Sequence, residues 1–219
     1  ALMMFSLEPE LRQGAQALGV SLSDDQVQAL LAYLELLGKW NRVYNLTAVR
    51  EARQMLRLHL LDSLSVVTPL MRHTQGGAAS VLDVGSGGGL PGVVLAIVCP
   101  KLHVVCLDAV AKKASFVQQV AGSLGLRNLE GRHGRIEDVQ EEFDVVTSRA
   151  FSSLADFVSW SQQALASDGV WLAMKGRMPR DELAFLPEFA EMYHVEQVEV
   201  PGLDVERSLV WMRQRQEGD

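Results

Sequence analysis

Val81-Leu82-Asp83-Val84-Gly85-Ser86-Gly87-Gly88-Gly89-Leu90-Pro91-Gly92 decides the fold: a short apolar strand breaks into a glycine turn and reopens as a helix over Val93–Val98. Glycines in such a turn allow positive φ and let a ligand approach the backbone. The free amides of the following helix add donors and the positive end of a dipole. The arrangement suits a nucleotide-like ligand. A second apolar strand, His103–Leu107, ends in Asp108, where a carboxylate can take the paired hydroxyls of a ribose.

Asp83 narrows the ligand further. A carboxylate on the strand just before Gly85 repels a pyrophosphate and suits a ligand carrying positive charge, such as S-adenosylmethionine with its sulfonium and ammonium. Gly87-x-Gly89-x-x-Gly92 also meets the dinucleotide pattern, so an NAD-dependent oxidoreductase stands as the rival reading. Dinucleotide folds usually open near that pattern and carry a second mononucleotide-binding half, whereas about 80 residues precede this turn. The methyl donor is therefore the expected ligand.

At 219 residues and 48% hydrophobic, the chain can bury a sizeable core. Its most apolar run, Gly92–Cys99, is too short to span a bilayer, so a soluble, cytoplasmic protein without a membrane partner is expected. Cys99 and Cys106 lack metal-ligand spacing and read as reduced core residues, so no metal is expected. Nothing in the pattern forces a dimer, and a monomer is expected. The net charge of −7 is unevenly spread. Residues 39–73 carry six Lys/Arg against two acids, residues 101–135 six against two, and residues 136–219 seven against seventeen. A locally positive face on an acidic protein can still meet phosphate, because screening confines exposed charges to about 8–10 Å.

The chain divides into an N-terminal helical extension, residues 1–73, and an alternating α/β domain, residues 74–219. Ser23 with Gln26 has the capping-box form ahead of a helix whose apolar face is Val27, Leu30, Leu31, Leu34 and Leu37. Asn41 and Asn45 suit a cap or turn after it. A second amphipathic helix is expected from Glu51 to Leu70. Beyond the glycine turn come a helix over Lys112–Leu124, strands over Asn128–Arg132 and Phe143–Thr147, and a helix over Leu154–Leu165. A strand over Gly169–Met174, a helix over Arg180–Ala190, and strands over His194–Val200 and Ser208–Arg213 follow. This alternation implies an α/β fold with a mainly parallel, doubly wound sheet of about seven strands.

Ligands of such sheets lie beyond the carboxyl ends of the strands. The third strand leads into Ile136 and Glu137, an apolar cover for adenine and an acceptor for its amino group. The fourth ends in Ser148-Arg149-Ala150-Phe151 and the fifth in Lys175-Gly176-Arg177, which gathers positive charge where an RNA would lie. The fourth strand lacks the Asp/Asn/Ser-Pro-Pro-aromatic loop typical of exocyclic amine methylation and the aspartate common in ribose methylation. Neither cysteine is placed for covalent attack on a pyrimidine. A target needing no deprotonation remains, and the ring nitrogen 7 of guanine fits. No acid or base residue is then required, and catalysis rests on alignment and on excluding water. A donor-binding RNA module without turnover is the other alternative.

Lys39-Trp40-Asn41-Arg42-Val43-Tyr44-Asn45-Leu46-Thr47, His59-Leu60-Leu61-Asp62-Ser63-Leu64, the glycine turn, Ser148-Arg149-Ala150-Phe151 and Lys175-Gly176 together resemble the glucose-inhibited division protein B family. These are bacterial small-subunit ribosomal RNA guanine-N7 methyltransferases of the Rossmann-like class I, S-adenosylmethionine-dependent type. The resemblance covers nearly the whole chain. It implies methylation of a single guanine of 16S ribosomal RNA in the small ribosomal subunit, with S-adenosylmethionine as donor. It also implies donor contacts at Gly85, Leu90, Ile136, Glu137 and Arg149, with Asp108 on the ribose; Asp83 and Gly87 join them from the turn itself. On the RNA side stand His59 and Asp62, one helical turn apart, with Arg149, Lys175 and Arg177. Arg149 suits either the donor's carboxylate or an RNA phosphate. Many relatives carry Thr-Gly-Pro-Gly where this chain has Ser86-Gly87-Gly88-Gly89, a change that removes no needed group.

Overall fold

The computed structural model describes residues 7–45, 51–149 and 151–218. Seven strands, β1 (Ala79–Val84), β2 (Leu102–Asp108), β3 (Leu129–His133), β4 (Phe143–Ser148), β5 (Leu165–Lys175), β6 (Ala190–Val198) and β7 (Arg207–Gln214), form one sheet in the order β3-β2-β1-β4-β5-β7-β6. Pairing is parallel except for β7, which runs antiparallel to both β5 and β6. β1 pairs with β2 on one side and β4 on the other, so the strand order reverses at β1, and a crevice opens there beyond the carboxyl ends.

Side chains of successive residues in the strands point to opposite faces, and both faces are buried, as a wound sheet requires. Val81, Val104, Val145, Leu172 and Trp211 face one core, and Leu82, Val105, Val146, Trp171 and Met212 face the other. The second core is closed by α8 (Leu154–Ser161) through Leu154, Phe157 and Val158. The first is closed by α6 (Gly92–Val98), α7 (Ala111–Leu124) and the N-terminal helices. Leu11 of α1 (Glu8–Ala17) and Leu30 and Leu34 of α2 (Asp24–Tyr44) are fully buried in that same cluster, so the N-terminal helices and the sheet share one core.

α2 starts where the capping box places it. The Gln26 amide donates to Ser23 Oγ at 3.1 Å, and the Ser23 amide donates to Gln26 Oε1 at 3.0 Å. The expected stripe Val27, Leu30, Leu31, Leu34 and Leu37 is buried, and Asn45 ends the helix in the left-handed region at φ 51°.

Five expected elements differ. The helix over Glu51–Leu70 is composite: α3 (Ala52–Met55), a π-helical segment Leu56–Leu61, α4 (Asp62–Leu64) and, after a break, α5 (Val67–Thr74). Every residue from His59 to Val67 is buried, so this segment threads the core instead of floating one apolar stripe on it. The wider π turn lets neighbouring residues all face protein, and such turns cluster at functional sites. α8 stops at Ser161, a 3₁₀ turn covers Gln162–Ala164, and β5 begins at Leu165, four residues before the expected start. The helix expected over Arg180–Ala190 is only α9 (Arg180–Leu183). Pro187 cannot continue a helical ladder, and Ala190 already opens β6, displacing the strand expected over His194–Val200.

Candidate functional site

The glycine turn leaves β1 with Gly85, Gly87 and Gly89 at φ 65°, 58° and 93°. These are left-handed values that a side chain would strain. The Gly85 and Ser86 amides donate to the Leu107 carbonyl at 2.8 and 3.2 Å, pinning the turn to the end of β2. A Cβ at Gly85 or Gly87 would meet nothing within 4 Å, whereas one at Gly92 would lie 2.4 Å from Cys106 Sγ and 2.8 Å from Asp83 Oδ2. Gly85 and Gly87 therefore border open space, and Gly92 serves close packing. From the other side, the buried Tyr33 of α2 donates to the Gly88 carbonyl at 2.6 Å, and Leu37 packs on Gly88.

Asp83 is fully buried. Its Oδ2 accepts from the Gly92 amide at 2.8 Å, and its Oδ1 has no hydrogen-bond partner. Burial pushes its carboxyl well above the usual range, opposed by the Gly92 hydrogen bond and the charge of Arg149. Asp108 accepts from the Gly87 amide at 2.9 Å and the Val110 amide at 2.8 Å, one bond per oxygen, leaving lone pairs on both. Beside it opens a cavity of about 210 Å³ at the strand ends, lined among others by Gly85, Asp108, Ile136, Glu137, Phe151 and Trp160. Four of the expected donor contacts thus meet around one cavity, while Leu90 is buried next to the turn. An open glycine backbone, a ribose-ready carboxylate and an apolar wall fit an adenosyl ligand, and the buried Asp83 holds the turn from within.

Arg149, at the end of β4, points toward the π-helical segment. Its guanidinium donates to the Leu58 carbonyl at 3.0 Å, lies 3.4 Å from Asp62 Oδ2, and meets His59 Nδ1 at 3.3 Å. Asp62 is also held bidentately by Arg207, at 2.7 and 2.6 Å. The paired guanidiniums compensate the cost of burying this carboxylate. His59 is pushed down to about 4, first by burial and then by the Arg149 charge, so its ring is neutral at physiological pH. His59 and Asp62 are therefore buried supports of Arg149, not a pair on the surface.

Residues 26–210 match the family described as GidB: rRNA small subunit methyltransferase G. The chain is 60% identical over 216 residues to the ribosomal RNA small subunit methyltransferase G of Acidovorax ebreus (strain TPSY), covering 95% of this chain and 96% of that protein. It is 56% identical over 211 residues to the namesake protein of Methylibium petroleiphilum, covering 96% of each. The chain belongs to the rRNA small subunit methyltransferase G family. Among solved structures, TrmN from Thermus thermophilus aligns with TM-score 0.55 at 17% identity, over 70% of this chain and 49% of that one. Coclaurine N-methyltransferase, bound to N-methylheliamine and SAH, aligns with TM-score 0.53 at 11% identity, over 89% and 66%. These likenesses are of fold, the Rossmann-like class I methyltransferase fold.

In this member of the methyltransferase G family, the cations expected at the fifth strand end are unequal. Lys175 is mostly buried, and its Nζ donates to Glu182 Oε1 at 3.0 Å and toward the Phe151 carbonyl at 3.3 Å. Glu182 Oε1 also accepts from the Leu154 amide at 3.0 Å, so the pair ties Phe151 and the start of α8 to the end of β5. Arg177 is exposed, 3.9 Å from Glu206. Sequence reasoning passed over Tyr33, Trp160, Glu182 and Arg207. Tyr33 was legible only as one more residue on a buried helix face, and a lone arginine at the start of a late strand carries no local signal. Among the described residues, no cluster of His, Cys, Asp and Glu could hold a metal ion, and no helix is long and apolar enough to cross a membrane.

Proposed function

We propose that this protein methylates the ring nitrogen 7 of a single guanine in 16S ribosomal RNA of the small ribosomal subunit, acting as a cytoplasmic monomer. S-adenosylmethionine, when bound, supplies an electrophilic methyl on its sulfonium. Asp83, fully buried, holds the Gly92 amide and so sets the turn on which the donor rests, Asp108 accepts from the ribose, and Ile136 and Glu137 cover and read the adenine. Gly85 and Gly87 leave the space the donor needs.

The choice of base rests on one observation: the polar groups at the ends of β4 and β5 and on the adjoining helical segment are already engaged. Ser148 Oγ donates to the Val84 carbonyl at 3.1 Å, Asp62 is held between two arginines, Lys175 pairs with Glu182, and His59, near 4, is a weak base. None is poised to take a proton from an amino or hydroxyl group. Guanine nitrogen 7 has an outward lone pair and no proton, so it needs only placement and dry surroundings. Arg149, held rigid by Leu58, His59 and Asp62, presents a fixed cation to the donor's carboxylate or to an RNA phosphate.

Nucleoside analysis of treated small subunits tests the assignment. The expected product is 7-methylguanosine and no other methylated nucleoside; a methyl on an exocyclic amine or ribose would refute it. Competition with S-adenosylhomocysteine covers the oxidoreductase alternative, because NAD is expected not to displace it.

A further inference from the structure

We infer that the C-terminal end of α2 and the start of α7 form a docking face for an unpaired RNA strand, separate from the strand-end cations Lys175 and Arg177. The inference rests on the proposed RNA substrate and names where that RNA is gripped.

The face joins the two basic stretches of the sequence. Lys112 Nζ stands 5.0 Å from the centroid of the Tyr44 ring, so α2 and α7 meet here. Beneath them, Trp40 packs against Tyr44 at 5.1 Å and Phe116 at 5.4 Å, which makes the platform rigid. Lys39, Arg42 and Lys112 are exposed and Lys113 is half-buried. Among the described residues none of the four makes an ion pair, although the chain as a whole is acidic. Most other described arginines are paired with an acid, so these cations stand out as charge that no described carboxylate neutralises.

Their placement is costly to the fold. Lys112 and Lys113 sit in the first turn of α7, where the helix dipole disfavours cations and no acid stands nearby in that turn. Mutual repulsion adds to the cost. A polyanion relieves both.

Apolar surface is interleaved with the charge: Tyr44 is 41% exposed, Val43 67% and Val110 48%. Cations beside an exposed aromatic plane are how single strands are held, with phosphates on the cations and bases on the ring. The face also adjoins the donor cavity, because the Val110 amide is bonded to Asp108, which lines it. A strand gripped here lies within reach of the mouth.

Methyl transfer by the full chain to small subunits lacking the modification tests this, with Lys112→Glu, Tyr44→Leu and, as a charge-matched control, Lys101→Glu, which is exposed at the amino end of β2, the other end of the strand from Asp108. The expected result is a KM for subunits raised about tenfold by Lys112→Glu and several-fold by Tyr44→Leu, a shallower salt dependence for Lys112→Glu, and unchanged S-adenosylhomocysteine affinity. Lys101→Glu is expected to match the wild type. If the wild type methylates subunits and both variants do so with unchanged KM, the docking face is wrong and the proposed function stands. If the wild type transfers no methyl, both fall. A raised KM on subunits with unchanged affinity for naked RNA would give the face to a ribosomal protein and overturn the inference.

Discussion

Tyr33 ties α2 to the glycine turn, its buried hydroxyl donating to the Gly88 carbonyl oxygen at 2.6 Å. The N-terminal helices are thus part of the donor site's foundation. Tyr33→Phe leaves that carbonyl buried and unpaired, at about 1–3 kcal/mol. We expect a lower melting temperature, by about 2–4 °C per kcal/mol for a chain of this size, and weaker S-adenosylhomocysteine binding by calorimetry. A turn indifferent to α2 would show neither.

The open and closed glycines of the turn separate binding from folding. Gly85→Trp projects into open space, strains a backbone at φ 65° by about 1–2 kcal/mol, and is expected still to fold yet lose donor binding. Gly92→Ala drives a methyl into Cys106 and Asp83 and is expected to cost stability, about 1–3 kcal/mol in denaturant unfolding. Normal donor affinity in the folded Gly85→Trp variant would move the pocket elsewhere.

The buried His59 gives stability a defined pH dependence. Its folded value, about 4, lies below the usual 6.5, so the unfolded chain binds the proton more tightly. The contribution is fully present above about 6.5 and is lost as pH falls toward 4, the loss amounting to about 3 kcal/mol across that window. Denaturant unfolding of His59→Gln against the wild type at several pH values measures it. The variant should lose less stability between pH 6.5 and 4; parallel curves would mean that His59 is not held neutral by its surroundings.

Lys175 and Glu182 act as a pair. If Lys175 works by fixing the segment around Phe151, then Lys175→Ala and Glu182→Gln should reduce methyl transfer to a similar degree, because either breaks the 3.0 Å bridge. A loss confined to Lys175→Ala, with the KM for subunits raised, would instead make Lys175 a direct RNA contact. Donor binding in the two variants, read by calorimetry, shows whether Phe151 at the cavity wall has moved.

Local patterns carried most of the fold. The capping box at Ser23, the strand–glycine–helix turn at Gly85 and Asp108 at the end of β2 each depend on residues close in sequence, and each lies where expected. The misreadings share a different cause. The segment from His59 to Val67 looked amphipathic because its apolar residues are helically spaced, but burial on all sides required a π turn that no spacing announces. The helix expected over Arg180–Ala190 ignored Pro187, and the long antiparallel pairing of β6 with β7 claimed its end. The site was legible as a set of strand ends. The partner of each cation was not: Arg207 is 145 residues from Asp62, and only the folded sheet brings them together.

The central claim is a methyl transferred to one guanine of small-subunit ribosomal RNA. Incubating the protein with tritiated S-adenosylmethionine and small subunits that lack the modification, then mapping label along the 16S RNA, tests it directly. The account predicts label at a single guanine, on ring nitrogen 7. Donor binding without label on subunits or naked RNA would contradict it.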